Sequence, residues 1–266
     1  MTKVVIIGAA GRMGQALVRC CSRFGELRLA GAVEAPGCPA LGKDAGVVAG
    51  TPETGVTVVA DLKSALSGAD VGIDFSAHAA IPGTARLASE CRTALVIGTT
   101  GLTDAEKAAV MDASRAIPIV MSPSMSVGVN VLFSLVGKAA AALGNGYDVE
   151  IVEMHHRHKK DAPSGTALRL GEKVAEGRGQ DFRRVAAFGR EGDVGERPAG
   201  QIGLHAVRGG DVVGDHTVTF ATDGERVEFV HRAGSRDSFA MGALRAAVWV
   251  AGRPAGLYSM LDVLGL

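Results

Sequence analysis

The chain has 266 residues, with 28 lysines and arginines against 28 aspartates and glutamates and no formal net charge. That length allows one large domain or two modest ones, each with its own core, and the missing basic excess argues against a protein whose main task is gripping nucleic acid. Thirty-seven glycines with only 4% aromatic residues fit an α/β protein with many tight turns better than a β-sandwich.

Cys20, Cys21, Cys38 and Cys91 show no C-x-x-C spacing, and adjacent Cys20 and Cys21 make a poor disulfide pair. They read as reduced thiols of a cytoplasmic protein. The apolar run before the first glycine turn, Val4 to Ile7, is too short for a signal peptide or a membrane span. No other stretch reads as a membrane span free of charges and glycine turns.

Val4-Val5-Ile6-Ile7 fits a buried parallel strand. Gly8-Ala9-Ala10-Gly11-Arg12-Met13-Gly14 follows at once, and residues 15–24 have helical character. Strand, glycine turn and helix are the context of a dinucleotide site. Gly8 allows the tight turn, Gly11 lets the backbone approach a pyrophosphate, and Gly14 lets the helix pack closely on the strand. The helix start offers N–H groups and a partial positive charge to the phosphates. The spacing is G-x-x-G-x-x-G, with Ala10 where the commoner motif has glycine, so the motif alone is weak. Leu27 to Val33 supplies a second strand, and it ends at Glu34, 20 residues after Gly14. A carboxylate there accepts from ribose hydroxyls. Ala35, not arginine, follows it, so a preference for NADH over NADPH is expected. Arg12 and Lys43 are the cations available to soften that preference.

The alternation continues. Asp61 caps a short helix through Ser67, Asp70 to Phe75 reads as a strand, His78 to Glu90 as a helix, and Thr93 to Ile97 as a strand ending in Gly98-Thr99-Thr100-Gly101. Thr103-Asp104-Ala105-Glu106 is a capping box, and Ile117 to Met121 is a strand running into Ser122-Pro123-Ser124-Met125. Repeated βα units predict a Rossmann-like, doubly wound parallel sheet. Ligands of such sheets lie beyond the carboxyl ends of the strands. Gly8–Met13, Glu34, Phe75-Ser76, Gly98–Thr100 and Ser122–Met125 should therefore converge.

After Met125 the pattern changes. Val127 to Leu143 is a long apolar helix, Tyr147 to Met154 alternates like a half-buried strand, and Ser164 to Ala175 is a helix. Gly177 to Gly200 is charged and glycine-rich and reads as a loop. Ile202 to Arg208, Val212 to Phe220 and Arg226 to Arg232 read as strands, the last two joined by a hairpin turn at Asp223-Gly224. Ser238 to Ala251 returns to a helix, with Met241, Leu244, Ala247 and Val248 on one face. The expected architecture is a dinucleotide-binding domain, residues 1–126 with 236–266. An α+β domain with a mixed or antiparallel sheet, residues 127–235, would serve substrate binding and oligomerisation.

One stretch, Glu153 to Thr166, reads EMHHRHKKDAPSGT and carries three of the seven histidines. So many ionisable groups do not suit a core segment. Ser164 can cap a helix whose first N–H groups, with the neighbouring cations, make an anion site. A basic surface loop is the plain alternative for the stretch taken alone. A metal site is not expected. His155, His156 and His158 are too tightly spaced to converge, since neighbours on an extended chain face opposite ways, and no cysteine or H-E-x-x-H accompanies them. Proton transfer fits better. Hydride delivery to a conjugated substrate leaves negative charge that a positioned acid must quench, and histidine suits that near neutral pH. A lysine can donate a proton or hold a carboxylate as a point charge. Two anion-binding features suit a small dicarboxylate.

The run E-x-H-H-R-H-K-x-D-A-P-S-G-T-A resembles the signature of the dihydrodipicolinate reductase family, the 4-hydroxy-tetrahydrodipicolinate reductases of bacterial and plant lysine and diaminopimelate synthesis. The resemblance covers nearly the whole chain, through GAAGRMG at Gly8–Gly14, IDFS at Ile73–Ser76, VIGTTG at Val96–Gly101, SVGVN at Ser126–Asn130, REG at Arg190–Gly192 and GDHTVTF at Gly214–Phe220. It implies an NAD(P)H-dependent oxidoreductase, a homotetramer assembled through the sheet of the second domain. It implies His155 as proton donor/acceptor, Lys159 as proton donor, and His156, Gly165 and Thr166 as substrate-binding. The cofactor would be lined by Gly8, Ala9, Ala10, Gly11, Arg12, Met13, Glu34, Gly98, Thr99, Thr100, Ser122, Pro123, Ser124 and Met125. His158 and Lys160 take no role. Two departures stand out: Ala35 replaces an arginine that some members direct at NADPH, and Pro123-Ser124-Met125 replaces Ala-Asn-Phe. An amino-acid or semialdehyde dehydrogenase sharing the nucleotide domain would have no reason to carry the H-H-R-H-K-x-D-A-P-S-G-T run, and a non-catalytic NADH-sensing protein would bind cofactor without needing both His155 and Lys159.

Overall fold

The computed structural model describes residues 1–266. In chain order the first half contains β1 (Thr2–Ile7), α1 (Arg12–Cys21), β2 (Leu27–Val33), α2 (Ala45–Val48), β3 (Val58–Val59), α3 (Leu62–Leu66), β4 (Val71–Asp74), α4 (Ile81–Cys91), β5 (Ala94–Ile97), α5 (Asp104–Ala113) and β6 (Pro118–Met121). The second half contains α6 (Val127–Leu143), β7 (Asp148–His155), α7 (Gly165–Arg178), α8 (Phe182–Val185), β8 (Ala186–Phe188), β9 (Ile202–Arg208), β10 (Gly214–Thr222), β11 (Glu225–Ala233), α9 (Asp237–Val250), β12 (Gly256–Tyr258) and α10 (Met260–Leu264). Two units result, Met1–Val127 with Arg236–Gly265, and Gly128–Ser235 with Leu266.

The first unit holds a seven-stranded sheet in the order β12-β6-β5-β4-β1-β2-β3. Every pairing in it is parallel. Helices cover both faces, so alternate residues of one strand enter different cores. Val4 and Ile6 join Leu17, Val96 and Leu244, while Val5 and Ile7 join Leu66, Leu95 and Ile97. That explains why β1 is apolar without alternation. Each such side chain contributes about 1.5–3 kcal/mol when fully buried. The strand order reverses between β1 and β4, which is where doubly wound sheets bind ligands.

α1 begins at Arg12, earlier than the expected Gln15, because Gly11 takes the N-cap position with extended backbone. It packs so closely that a Cβ on Gly14 would lie 2.1 Å from the Gly8 carbonyl oxygen. In α9 the buried residues are Ala240, Gly242, Ala243, Leu244, Ala246, Ala247 and Val250. The expected face forms: Leu244 and Ala247 are buried, and Met241 and Val248 are half-buried against the same core. Small residues bring α9 against Met125, whose carbonyl oxygen lies 1.8 Å from where a Gly242 Cβ would stand.

The second unit holds a mixed five-stranded sheet, β11-β10-β7-β9-β8. β10 is antiparallel to β7 and β11, and β9 is parallel to β7 and β8. Gly224, at φ 86°, makes the turn between β10 and β11. One sheet face meets α6 and α7 in a core containing Phe133, Val149, Ile151, Leu170, Val218 and Phe220. The expected loop at Gly177–Gly200 is corrected in its first half, where α7 reaches Arg178 and α8 and β8 follow, whereas residues 189–200 carry no helix or strand. Gly177 does not end α7 because its bare Cα lies against α6, and a Cβ there would stand 2.5 Å from the Gly137 carbonyl oxygen. By length and composition alone, Val127–Gly146 could cross a membrane, although it carries Lys138 and the glycines Gly128 and Gly137. Val129, Leu132, Phe133, Val136 and Ala140 of that helix are buried in the core of this unit.

Gly14→Ala and Gly177→Ala should each destabilise the protein by about 1–3 kcal/mol through overpacking against backbone. Gly83 lies in α4 with open space around it. Gly83→Ala should instead stabilise by about 0.5–1 kcal/mol, the helical difference between glycine and alanine. Urea denaturation of the three variants checks the contrast.

Candidate active site

In the first unit, the segments after β1, β2, β4 and β5 meet. Gly8 has φ 81°, and a Cβ on it would lie 2.8 Å from the Phe75 carbonyl oxygen. The same backbone approach recurs at Gly98, where a Cβ would stand 2.1 Å from the Phe75 ring. The Ala10 N–H donates to Glu34 Oε1 at 2.8 Å, and the Ala35 N–H donates to Oε2 at 3.1 Å. Glu34 is therefore fixed beside the glycine turn. Gly8 and Ala9 are buried, Ala10 and Met13 are half-buried, and Gly11 and Arg12 are exposed. No side chain caps α1, so its first turn keeps N–H groups for an anion. This cradle fits the pyrophosphate of a dinucleotide.

Two residues of this site carried no sequence signal of their own. Gln15 Nε2 donates to the Ala10 carbonyl at 2.8 Å and braces the turn. Asp74 is fully buried at the end of β4. Its Oδ1 accepts from the Ser76 N–H at 2.8 Å, Ser76 Oγ at 2.6 Å and Thr99 Oγ1 at 3.2 Å. It thereby joins the segments after β4 and β5. Burial raises its carboxyl above the usual range, against the pull of the Ser76 and Thr99 bonds. Thr99 and Gly98 are half-buried and Thr100 is exposed. The segment after β6 differs: Ser122, Ser124 and Met125 are buried, and only Pro123 is exposed. Ser122 Oγ donates to the Ser124 carbonyl at 2.9 Å, and Met125 belongs to the core.

In the second unit, β7 delivers the chain into the basic stretch. His155 ends the strand and is buried, His156 and Lys159 are half-buried, and His158 and Lys160 are exposed. Glu153 and His155 point to the helix-covered face, beyond Val149 and Ile151. The neighbouring strands change character at the same level. Across β10, Val149 pairs with Phe220, Ile151 with Val218 and Glu153 with His216. Across β9, Ile151 pairs with Leu204 and His155 with Arg208. One sheet face is thus apolar at one end and ionisable at the other.

Glu153 is fully buried. It accepts from His155 Nδ1 at 2.6 Å, from the Ser164 N–H at 3.0 Å, and from both Arg208 terminal nitrogens at 2.8 and 2.9 Å. Burial alone would raise its carboxyl; the bonds from His155, Arg208 and Ser164 outweigh it and bring the value down to about 2. Ser164 caps α7 by accepting the Ala167 N–H at 3.2 Å, and its Oγ meets His216 Nε2 at 3.0 Å. His216 lies edge-on to His155, with ring centroids 5.2 Å apart. Burial first, then the neighbouring His155, pushes its imidazole down to about 3, so it is neutral. Lys159 Nζ pairs with Asp161 at 2.9 Å. At the start of α7, Gly165 is exposed and Thr166 half-buried. Arg208 and His216 were not singled out from sequence. A charged residue at an inward position of an otherwise apolar strand was the available signal.

The comparisons with known proteins agree with one another. Family models described as dihydrodipicolinate reductase, N-terminus and C-terminus, match residues 2–125 and 128–264. A 4-hydroxy-tetrahydrodipicolinate reductase of Anaeromyxobacter dehalogenans is 58% identical, over 100% of this chain and 98% of that protein. One from Geobacter sulfurreducens is 48% identical over 100% of both. Among solved structures, a dipicolinate-bound dihydrodipicolinate reductase from Paenisporosarcina sp. TG-14 aligns with a TM-score of 0.77 at 23% identity, covering 98% of each chain. An amine dehydrogenase from Mycobacterium smegmatis shares the fold, with a TM-score of 0.62 at 10% identity over 97% of this chain and 95% of that one.

The shifted groups set an acid limit on stability. His216 is lowered from 6.5 to about 3, so the unfolded chain binds its proton first as pH falls. Its contribution is complete above pH 6.5 and is lost toward pH 3. The Glu153 carboxyl is lowered from 4.5 to about 2, and its contribution disappears over that range. Unfolding free energy from urea titrations should therefore fall in two stages below neutrality. His216→Asn should flatten the first stage, between pH 6.5 and 4.5, and reduce the slope of the second down to about pH 3, where the Glu153 loss alone continues; an unchanged first slope would contradict this assignment.

Proposed function

The chain belongs to the dihydrodipicolinate reductase family, and we propose how its residues share the NAD(P)H-dependent reduction of 4-hydroxy-tetrahydrodipicolinate to tetrahydrodipicolinate. In that step of lysine and diaminopimelate synthesis the substrate hydroxyl leaves as water, and one hydride and one proton enter. Reduced nicotinamide, when bound, supplies the hydride. The first unit is the dinucleotide-binding domain. Residues 8–13 hold the pyrophosphate, Glu34 the ribose, and residues 98–100 and 122–125 the nicotinamide end.

The second unit is the substrate-binding and oligomerisation domain. His155 and Lys159 handle the protons of the reaction, and His156 with the Gly165 and Thr166 N–H groups holds the carboxylates. The observation that carries this assignment is their placement between β7 and the start of α7: one short connection bears the buried His155, the half-buried Lys159 and an anion-receptive helix start. Lys159 is paired with Asp161, which holds its ammonium in place on this connection.

NADH is the preferred cofactor in this reading. The Glu34 carboxylate is held beside the turn by two N–H groups, and a 2′-phosphate there would meet like charge. Assembly as a homotetramer uses the outer face of the five-stranded sheet, where Val152, Val207 and Val230 are exposed at 42%, 42% and 48%. The four cysteines are unpaired, in keeping with a cytoplasmic protein.

A decrease in reduced-cofactor absorbance, with the fresh condensation product of pyruvate and aspartate semialdehyde, tests the reaction. His155→Gln and Lys159→Ala should each lower kcat by about 10²–10⁴-fold, the usual worth of a positioned acid or base, with NADH affinity close to native. Loss of NADH binding would put those residues in the wrong site. kcat/KM should be higher with NADH than with NADPH, and Glu34→Ala should narrow the gap; a higher native value with NADPH would refute the preference.

A further inference from the structure

The surroundings of His155 fix more than its position. Glu153 is fully buried, and its carboxyl, lowered to about 2, is ionised at neutral pH. An ionised carboxylate only accepts hydrogen bonds. The 2.6 Å contact with His155 Nδ1 therefore requires the proton to lie on Nδ1. In the neutral ring, Nε2 is then the nitrogen with the free lone pair.

Arg208 keeps Glu153 in that role. Its two terminal nitrogens reach both carboxylate oxygens, at 2.8 and 2.9 Å. One of them also donates to the Asp161 carbonyl at 2.7 Å, and Asp161 is the partner of Lys159. The guanidinium thus ties the histidine's acceptor to the connection that carries the lysine. Two further contacts hold the ring plane. His216 stands edge-on at 5.2 Å between centroids, and β10 passes so close that a Cβ on Gly214 would lie 2.9 Å from Nε2.

We propose that Glu153 and Arg208 are a positioning pair, holding His155 with Nδ1–H on Glu153 so that Nε2 alone exchanges the reaction's proton. The inference rests on His155 being the proton donor/acceptor. In the acid form both ring nitrogens are protonated. Nε2 gives its proton to the substrate atom that gained the negative charge, and the neutral ring keeps Nδ1–H on Glu153. Nε2 is then reprotonated from water. Arg208 offsets the carboxylate's charge, so the Nδ1 proton stays on the ring.

The tautomer is read directly from 15N resonances of the histidine-labelled native protein, with His155 assigned by comparison with His155→Gln. In the neutral ring, Nδ1 should be protonated and Nε2 should be the bare, pyridine-type nitrogen. The reverse assignment overturns the proposal without any variant that must fold. Kinetics give the second arm. Partners of a working histidine are worth about 10–100-fold, and Glu153→Gln and Arg208→Gln should each lower kcat by that factor while KM and NADH affinity stay near native. In a His155→Gln background the same changes should cost nothing further, because they act through the missing ring. A further multiplicative loss there, or native kcat in Glu153→Gln, overturns the positioning role. Native kcat in His155→Gln itself would instead remove the acid–base reading on which the proposal rests.

Discussion

The second unit depends on one buried carboxylate. Glu153 sits with no exposure in a place where an unpaired charge would cost several kcal/mol. It is tolerated because donors arrive from three different elements: His155 on the same strand, Arg208 on β9, and the Ser164 N–H at the mouth of α7. Each donor brings something the site needs. The first orients an imidazole, the second secures the connection to α7, and the third sets where that helix begins. The helix start, the lysine connection and the histidine are thereby fixed by reference to the same two oxygens.

The first unit works by the opposite device, the absence of atoms. Its binding edge contains few charged groups. What it offers is backbone: a turn at Gly8 pressed on Phe75, a helix packed on that turn through Gly14, and N–H groups that no side chain caps. A cradle of this kind suits a pyrophosphate, which is itself strongly charged and is satisfied by many weak dipoles. The proposed dicarboxylate binding and proton transfer would need ionisable groups, and those are concentrated in the other unit.

Much of this was readable from the chain alone, for identifiable reasons. The apolar run of β1 followed by glycines is a local pattern, and so is the capping box at Thr103, which forms as expected. The His-Lys stretch is local as well. Arg208 and His216 are not. They lie 55 and 52 residues from the partners they meet, and only the strand register brings them there. Asp74 was hidden for a related reason: at the end of a short apolar strand it reads as a strand terminus, although its carboxylate ties the segments after β4 and β5 together. The end of α7 was placed too early because glycine usually ends a helix, whereas at Gly177 close packing on α6 requires it.

The sheet of the second unit suggests why the ionisable network persists. Moving along one face, Val149 and Ile151 give way to Glu153 and His155, Phe220 and Val218 to His216, and Leu204 to Arg208. All three strands could have continued as apolar core. Replacing a buried ion pair by packed hydrophobic side chains is often neutral or stabilising by about 1–4 kcal/mol, so stability alone does not account for Glu153 and Arg208. Nor does solubility, because the carboxylate never reaches water. What an apolar continuation could not supply is an acceptor at Nδ1 and a guanidinium that holds that acceptor in place. The network is accounted for by the geometry it imposes on His155, and the apolar half of the same face provides the rigid base from which that geometry is held.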